Sequence, residues 1–343
     1  MSGRSLRWAL PALFAIAVLP IACDDDASTA SSADPTMDLT PAELATEEPS
    51  DDPGGTPAAE GATCSPARPR EPGASNETFD FEGEERTYVL HVPPAYEGDA
   101  AMPLVLNLHG LGSDSNEQDR YSQLPAKADE EGFVLVTPQG QGPIGFWNIS
   151  PGTAGFANDV AFLGGLLDAL EEQLCIDQAR VYSTGISNGG LMSSRLGCDL
   201  SERIAAFASI AGITFAADCA PAGPVSVLAF HGVADPIIPF EGGPLGIEAL
   251  SNLSFPAVRE SVGKWAAQDA CDTAPEEEQV SEHVTLERYA GCAEGADVVL
   301  YVISEGGHTW PGAPVDVASL GVTTREIKAT DLLWEFFAAH PKP

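Results

Sequence analysis

The chain has 343 residues, 44% hydrophobic and 20% charged, enough to close one large core or two small ones, which excludes a mini-protein and a wholly disordered chain. With 51 acidic against 16 basic side chains the formal charge is −35, so a phosphate backbone is repelled and nucleic-acid binding is excluded as a main function. The one continuous apolar stretch, Trp8 to Ala22, is broken by Pro11 and Pro20, which excludes a multi-span membrane protein.

Arg4 and Arg7 precede that stretch, and Ala22 puts a small residue before Cys23, so residues 1–23 have the layout of an export signal. Leu19-Pro20-Ile21-Ala22-Cys23 resembles a bacterial lipobox, whose cysteine is lipidated and would tether the chain to a membrane. Pro20 stands where that pattern wants Leu, and an ordinary cleaved signal is the alternative. Setting Cys23 aside leaves Cys64, Cys175, Cys198, Cys219, Cys271 and Cys292, an even set suited to an oxidising compartment. Residues 24–63 hold 11 acidic and no basic side chains among Ala, Ser, Thr, Pro and Gly, and read as a disordered acidic tether. Residues 64–343, with 40 acidic and 14 basic side chains, still carry −26; without an internal repeat or a second composition boundary they read as one domain.

In chain order, strands are expected at Thr87 to Val92, Leu104 to Leu108, Phe133 to Thr137, Val181 to Thr184, Phe207 to Ile210, Val225 to Phe230 and Val298 to Ile303. Helical spacing appears at Val160, Leu163, Leu166, Leu167, Leu170 and Leu174, with Asp159 expected as the N-cap, and again at Val258, Val262 and Trp265 after Pro256. Strands alternating with helices imply an α/β domain, a mostly parallel central sheet with helices on both faces.

The strand ending at Thr184 runs into Gly185-Ile186-Ser187-Asn188-Gly189-Gly190 and then a helical stretch with Leu191, Met192 and Leu196. A serine on a sharp strand-to-helix turn crowds its neighbours, so the positions two before and two after must be small, as Gly185 and Gly189 are. Ser187 is therefore the candidate nucleophile. Its hydroxyl needs a base, and the base a carboxylate that fixes its tautomer. On such elbows the chain order is nucleophile, acid, base. That order selects Asp235, in His231-Gly232-Val233-Ala234-Asp235-Pro236, and then His308, in Glu305-Gly306-Gly307-His308-Thr309-Trp310-Pro311-Gly312. His231 is the weaker candidate for the base, His91 reads as a strand residue, and His283 and His340 lack a catalytic context. Oxyanion donors are expected at the backbone NH of Asn188 and of Leu111, with Gly112 as the alternative, in the loop His109 to Asp114, where His109 supports the loop. Trp147 and Trp310 are candidate walls of an acyl or aromatic pocket. No Cys or His spacing suggests a metal site, and no phosphate loop is present.

Leu108-His109-Gly110, Thr184 to Gly190, Phe230 to Pro236 and Gly306 to Gly312 together resemble the polyhydroxybutyrate depolymerase-like esterases, a group similar to the feruloyl and acetylxylan esterases within the α/β-hydrolases. His308-Thr309-Trp310-Pro311-Gly312 is the most distinctive element. The resemblance covers most of residues 80–340. It implies an α/β-hydrolase fold without a large lid, and a secreted serine esterase with no metal and no organic cofactor. The implied substrates are polyhydroxybutyrate-type oligomers or feruloyl and acetyl esters of plant polysaccharide.

Other readings of the same residues are a serine peptidase or an acyltransferase on this fold, or a catalytically silent lipid-anchored binding protein. The peptidase calls for a propeller or lid domain for which these residues leave no room, and the silent protein calls for a lost triad member. No protein partner is indicated. For the cysteines, Cys271 ends a helix and Cys292 follows the strand-like run Val284 to Tyr289 that could return beside it, which pairs them. Cys198 with Cys219 is the second expected pair, leaving Cys64 with Cys175.

Overall fold

The computed structural model describes residues 62–343 except 143 and 154; the expected export signal, Cys23 and nearly all of the expected tether lie outside the described residues. Of that tether, Ala62 accepts a backbone hydrogen bond from Ala101 and Thr63 bridges Ala100, so these two residues belong to the folded unit.

The chain runs β1 (Gly73–Phe81), β2 (Glu84–Val92), β3 (Met102–Leu108), α1 (Ser115–Ser122), α2 (Leu124–Glu131), β4 (Val134–Pro138), α3 (Asp159–Gln173), β5 (Ile176–Ile186), α4 (Asn188–Asp199), β6 (Ala206–Ile210) and β7 (Ser226–Gly232). A two-residue ribbon, β8 (Gly243–Pro244) with β9 (Ser254–Phe255), precedes α5 (Val258–Gln268), β10 (Glu276–Ser281), β11 (Val284–Tyr289), β12 (Val298–Ile303) and α6 (Ala329–Ala339).

Ten strands form one sheet in the order β1-β2-β4-β3-β5-β6-β7-β12-β11-β10. From β4 to β12 the neighbours are parallel, and antiparallel strands extend the sheet at each side. The inner strands, apart from the first residues of β5, are buried at nearly every position because both faces are covered, and successive side chains feed alternate cores. Leu104, Leu106 and Leu108 of β3, with Val298, Leu300 and Val302 of β12, pack into the core under α3, α4 and α5. Val105, Val299, Tyr301 and Ile303 pack into the opposite core with Leu124 and Ala128 of α2 and Leu333 and Phe337 of α6.

The helix expected after residue 158 forms, but its cap differs. Asn158 is the N-cap, its side chain accepting from the Ala161 amide at 3.1 Å, whereas Asp159 is buried and ion-paired to Arg86 at 2.9 Å. A buried guanidinium needs a fixed carboxylate, and this demand outweighs the capping preference. All three expected disulfides are present, Cys64–Cys175, Cys198–Cys219 and Cys271–Cys292.

Candidate active site

The candidate residues lie at the carboxyl ends of neighbouring parallel strands, where loops of an open α/β sheet gather. Ser187 joins β5 to α4 with φ 57° and ψ −120°, a region that costs a non-glycine residue about 1–3 kcal/mol. Surrounding hydrogen bonds impose it: the Ser187 amide donates to Ile210 O at 2.9 Å, and Ser187 O accepts from the Leu191 amide at 2.9 Å. The two flanking glycines are required by contact. A β-carbon on Gly185 would stand 2.5 Å from Leu108 O, and one on Gly189 would stand 2.1 Å from the same oxygen.

Asp235, in the loop after β7, and His308, in the loop after β12, are brought together: His308 Nδ1 lies 2.7 Å from Asp235 Oδ2, both side chains buried. The other carboxylate oxygen, Oδ1, accepts from the amides of Ile237 at 2.7 Å and Ile238 at 2.9 Å. Burial pushes the Asp235 carboxyl up, but hydrogen bonds from His231 and His308 outweigh it and hold the group well below the usual carboxylate range. Asp235 is thus an anion at neutral pH, and with its oxygens engaged it keeps Nδ1 of His308 as the protonated nitrogen. Among the described residues no hydrogen bond joins His308 Nε2 to Ser187 Oγ.

His231 has a place that its sequence context did not reveal. Its Nε2 lies 2.9 Å from Ile238 O and 3.3 Å from Asp235 Oδ2, making it a companion of the acid. The signal was the four-residue spacing from His231, at the end of β7, to Asp235 in the loop that follows.

The loop after β3 runs against the serine: a β-carbon on Gly110 would be 3.5 Å from Ser187 Cβ. The Gly112 amide is committed to Ile144 O at 2.8 Å, which removes it as the alternative oxyanion donor. The amides of Leu111 and Asn188 take no acceptor among the described residues, and Asn188 also opens α4, where the helix dipole favours negative charge. His109 holds the loop as expected. Its Nε2 accepts from the Gly140 amide at 2.9 Å, so the ring proton is on Nδ1, which donates to Gly110 O at 2.8 Å. Burial pushes the His109 pKa down and keeps the ring neutral. Gly110 C=O and Leu111 N–H share one rigid peptide plane, so clamping the carbonyl aims the amide.

Trp147 and Trp310 are placed differently from expectation. Both rings are 0% exposed, so neither is a wall open to a ligand. A buried indole needs an acceptor, and each has found one inside the scaffold. Trp147 Nε1 donates to His109 O at 3.0 Å, and its backbone exchanges hydrogen bonds with the Asn188 side chain, at 2.7 Å and 3.0 Å. Trp310 Nε1 donates to Thr330 Oγ1 at 3.0 Å, anchoring the loop that carries His308 to α6. The sequence signal, an aromatic ring next to a reactive residue, is shared by pocket walls and loop anchors.

The strand order and the strand–serine–helix elbow define the α/β-hydrolase fold. Feruloyl esterase B of Piromyces equi is 30% identical over 230 residues, 65% of this chain but only 42% of that enzyme's length. NocK, an esterase candidate from Nocardia uniformis subsp. tsuyamanensis, is 31% identical over 275 residues, 74% of this chain and 79% of its own. The acetyl xylan esterase structure from Aspergillus awamori superposes with a TM-score of 0.57 at 14% identity, covering 77% of this chain and 99% of its own, a likeness of fold. No family model matches the chain. The chain belongs to the polyhydroxybutyrate depolymerase-like and feruloyl esterase-like family of the α/β-hydrolases, and is a serine carboxylic ester hydrolase.

Proposed function

We propose that Ser187, His308 and Asp235 are the catalytic triad of an exported esterase that cleaves feruloyl or acetyl esters attached to plant polysaccharide. The observation that carries the reading is the strained Ser187 elbow facing the same sheet edge as the 2.7 Å His308–Asp235 pair. In this mechanism Ser187 Oγ attacks the ester carbonyl while His308 Nε2 takes its proton. The carbonyl oxygen becomes an anion, received by the amides of Leu111 and Asn188. Collapse of the tetrahedral adduct breaks the bond to the alcohol, which leaves with the proton from His308. Water then enters, His308 takes its proton, and the acid departs as Ser187 Oγ is reprotonated. Asp235, ionised throughout, stabilises the imidazolium form of His308.

Relatives named as feruloyl esterases support the substrate class. The even cysteine set, fully paired, supports an oxidising compartment, and with the signal-like residues 1–23 it supports export. Lipidation of Cys23 would make that export a membrane anchorage. A panel of methyl ferulate, acetylated xylan, hydroxybutyrate oligomers, a palmitoyl ester and a peptide amide tests the assignment. Cleavage of methyl ferulate or acetylated xylan with the highest kcat/KM, abolished by Ser187→Ala, is the expected result. A preference for hydroxybutyrate oligomers would move the substrate to polyester, and activity surviving in Ser187→Ala would remove the triad.

A further inference from the structure

Residues 139–158, which connect β4 to α3, contain no charged side chain, although the domain they belong to carries −26. On this segment Phe156 is 60% exposed, Ile144 is 47% exposed and Phe146 is half-buried. Apolar side chains exposed singly are ordinary, but two phenyl rings in contact on one short segment make a joint apolar surface that a ligand can cover. The two phenyl rings meet edge to face, with centroids 6.1 Å apart and planes at 63°.

Hydrogen bonds fix this patch beside the reacting serine. Gln141 and Phe146 exchange backbone hydrogen bonds at 3.0 Å and form a tight hairpin. Ile144 O accepts from the Gly112 amide at 2.8 Å, which ties the hairpin to the loop carrying Leu111. The next residue, Trp147, is tied through its backbone to the Asn188 side chain at 2.7 Å. Adding chain and contact lengths from Phe146 through Trp147 N and Asn188 Oδ1 puts the α-carbons of Phe146 and Ser187 at most about 13 Å apart. Phe156 is held from the other side, because Asn148 Nδ2 donates to Ala157 O at 2.8 Å and the Asn148 amide donates to the buried Asp159 carboxylate at 2.8 Å. The rings are therefore presented on a braced support and lose little entropy when they are covered.

We infer that Phe146 and Phe156 form the subsite for the aromatic ring of a hydroxycinnamoyl ester, next to both candidate oxyanion donors. With the Phe146 α-carbon no more than about 13 Å from that of Ser187, the acyl side of the ester is the group within reach of this patch. Two rings set edge to face leave flat apolar faces suited to a planar, uncharged ring, and a charge-free segment avoids the desolvation cost that neighbouring carboxylates would add. This inference rests on the substrate reading above and replaces Trp147 and Trp310 as the aromatic walls.

The test compares methyl ferulate, whose ring is on the acyl side, with ethyl acetate, which has none, on Phe156→Ala and on Phe146→Ala with Phe156→Ala. Because Phe156 is mostly exposed, the single variant should melt with the wild type. The double variant should lose about tenfold or more in kcat/KM for methyl ferulate while ethyl acetate stays within about twofold, and the single variant should show part of that loss. An equal loss on both esters, or no loss on methyl ferulate, would overturn the subsite. A wild-type enzyme that cleaves ethyl acetate but not methyl ferulate would confine the substrate reading to acetyl esters, before any variant is made, and would overturn the subsite.

Discussion

Asp269 has no catalytic task, yet the structure predicts that it sets much of the pH dependence of stability. It ends α5, is 0% exposed, and among the described residues its side chain accepts only the Val225 amide, at 3.3 Å, while its other carboxylate oxygen has no partner. Burial pushes its pKa up to about 7, against a slight lowering by the Val225 amide. In the unfolded chain the same group titrates near about 3.9, so the folded state prefers the proton. Stability from this group is therefore full below pH about 4 and lost as pH rises to about 7, at about 1.4 kcal/mol per pH unit across the window. Asp269→Asn keeps the acceptor and cannot ionise. Urea denaturation of both proteins should show the variant gaining on the wild type by about 2.5 kcal/mol between pH 5 and pH 8, levelling above pH 7. The difference between the two proteins isolates this site from the many other acidic groups. A gap that does not change with pH, or that narrows as pH rises, would refute the reasoning.

Two other predictions follow from the supports of the site and of the domain. His109→Ala frees the Gly110–Leu111 peptide, and should lower kcat by at least about tenfold with KM little changed, whereas His109→Asn, able to donate to Gly110 O, should recover part of the loss; an unchanged kcat in the alanine variant would show that the clamp is dispensable. Replacing Cys271 and Cys292 together by Ser opens a loop with a sequence separation of 21 and should cost about 3 kcal/mol in denaturant unfolding without altering kcat, and a cost below about 1 kcal/mol would mean the closed loop contributes little.

The parts of the fold legible in the sequence are those whose burial leaves a compositional trace. Strands β3 to β7 and β12 are covered on both faces and read as apolar runs. By contrast, β1 alternates exposed and half-buried positions at the sheet edge, and β10, Glu276–Ser281, opens with three glutamates, a polarity that protects an exposed edge but hides a strand. Helix α1, sequence SNEQDRYS, is hidden for another reason. It buries Ser115, Gln118 and Ser122, and Gln118 and Ser122 engage Asn107 of β3, so its inner face is polar and has no hydrophobic period. The signal for α6 is present in Leu333, Trp334 and Phe337 at helical spacing. The Ser187 elbow and the pairing of Asp235 with His308 were legible because glycines and chain order mark their loops. The place of His231 beside the acid was within reach of the sequence in its four-residue spacing to Asp235, whereas the burial of Trp147 and Trp310 depends on contacts between distant segments that no local pattern records.

The central claim is that Ser187 is the nucleophile, raised by His308. It can be tested without knowing the natural ester by treating the protein with an organophosphorus fluoride, which phosphorylates activated serines and releases fluoride, and measuring intact mass and peptide maps. One adduct per chain, on Ser187, formed at a rate that falls by several orders of magnitude in His308→Ala, is the result the account predicts. An adduct on another residue, or labelling of Ser187 at the same rate without His308, would contradict it.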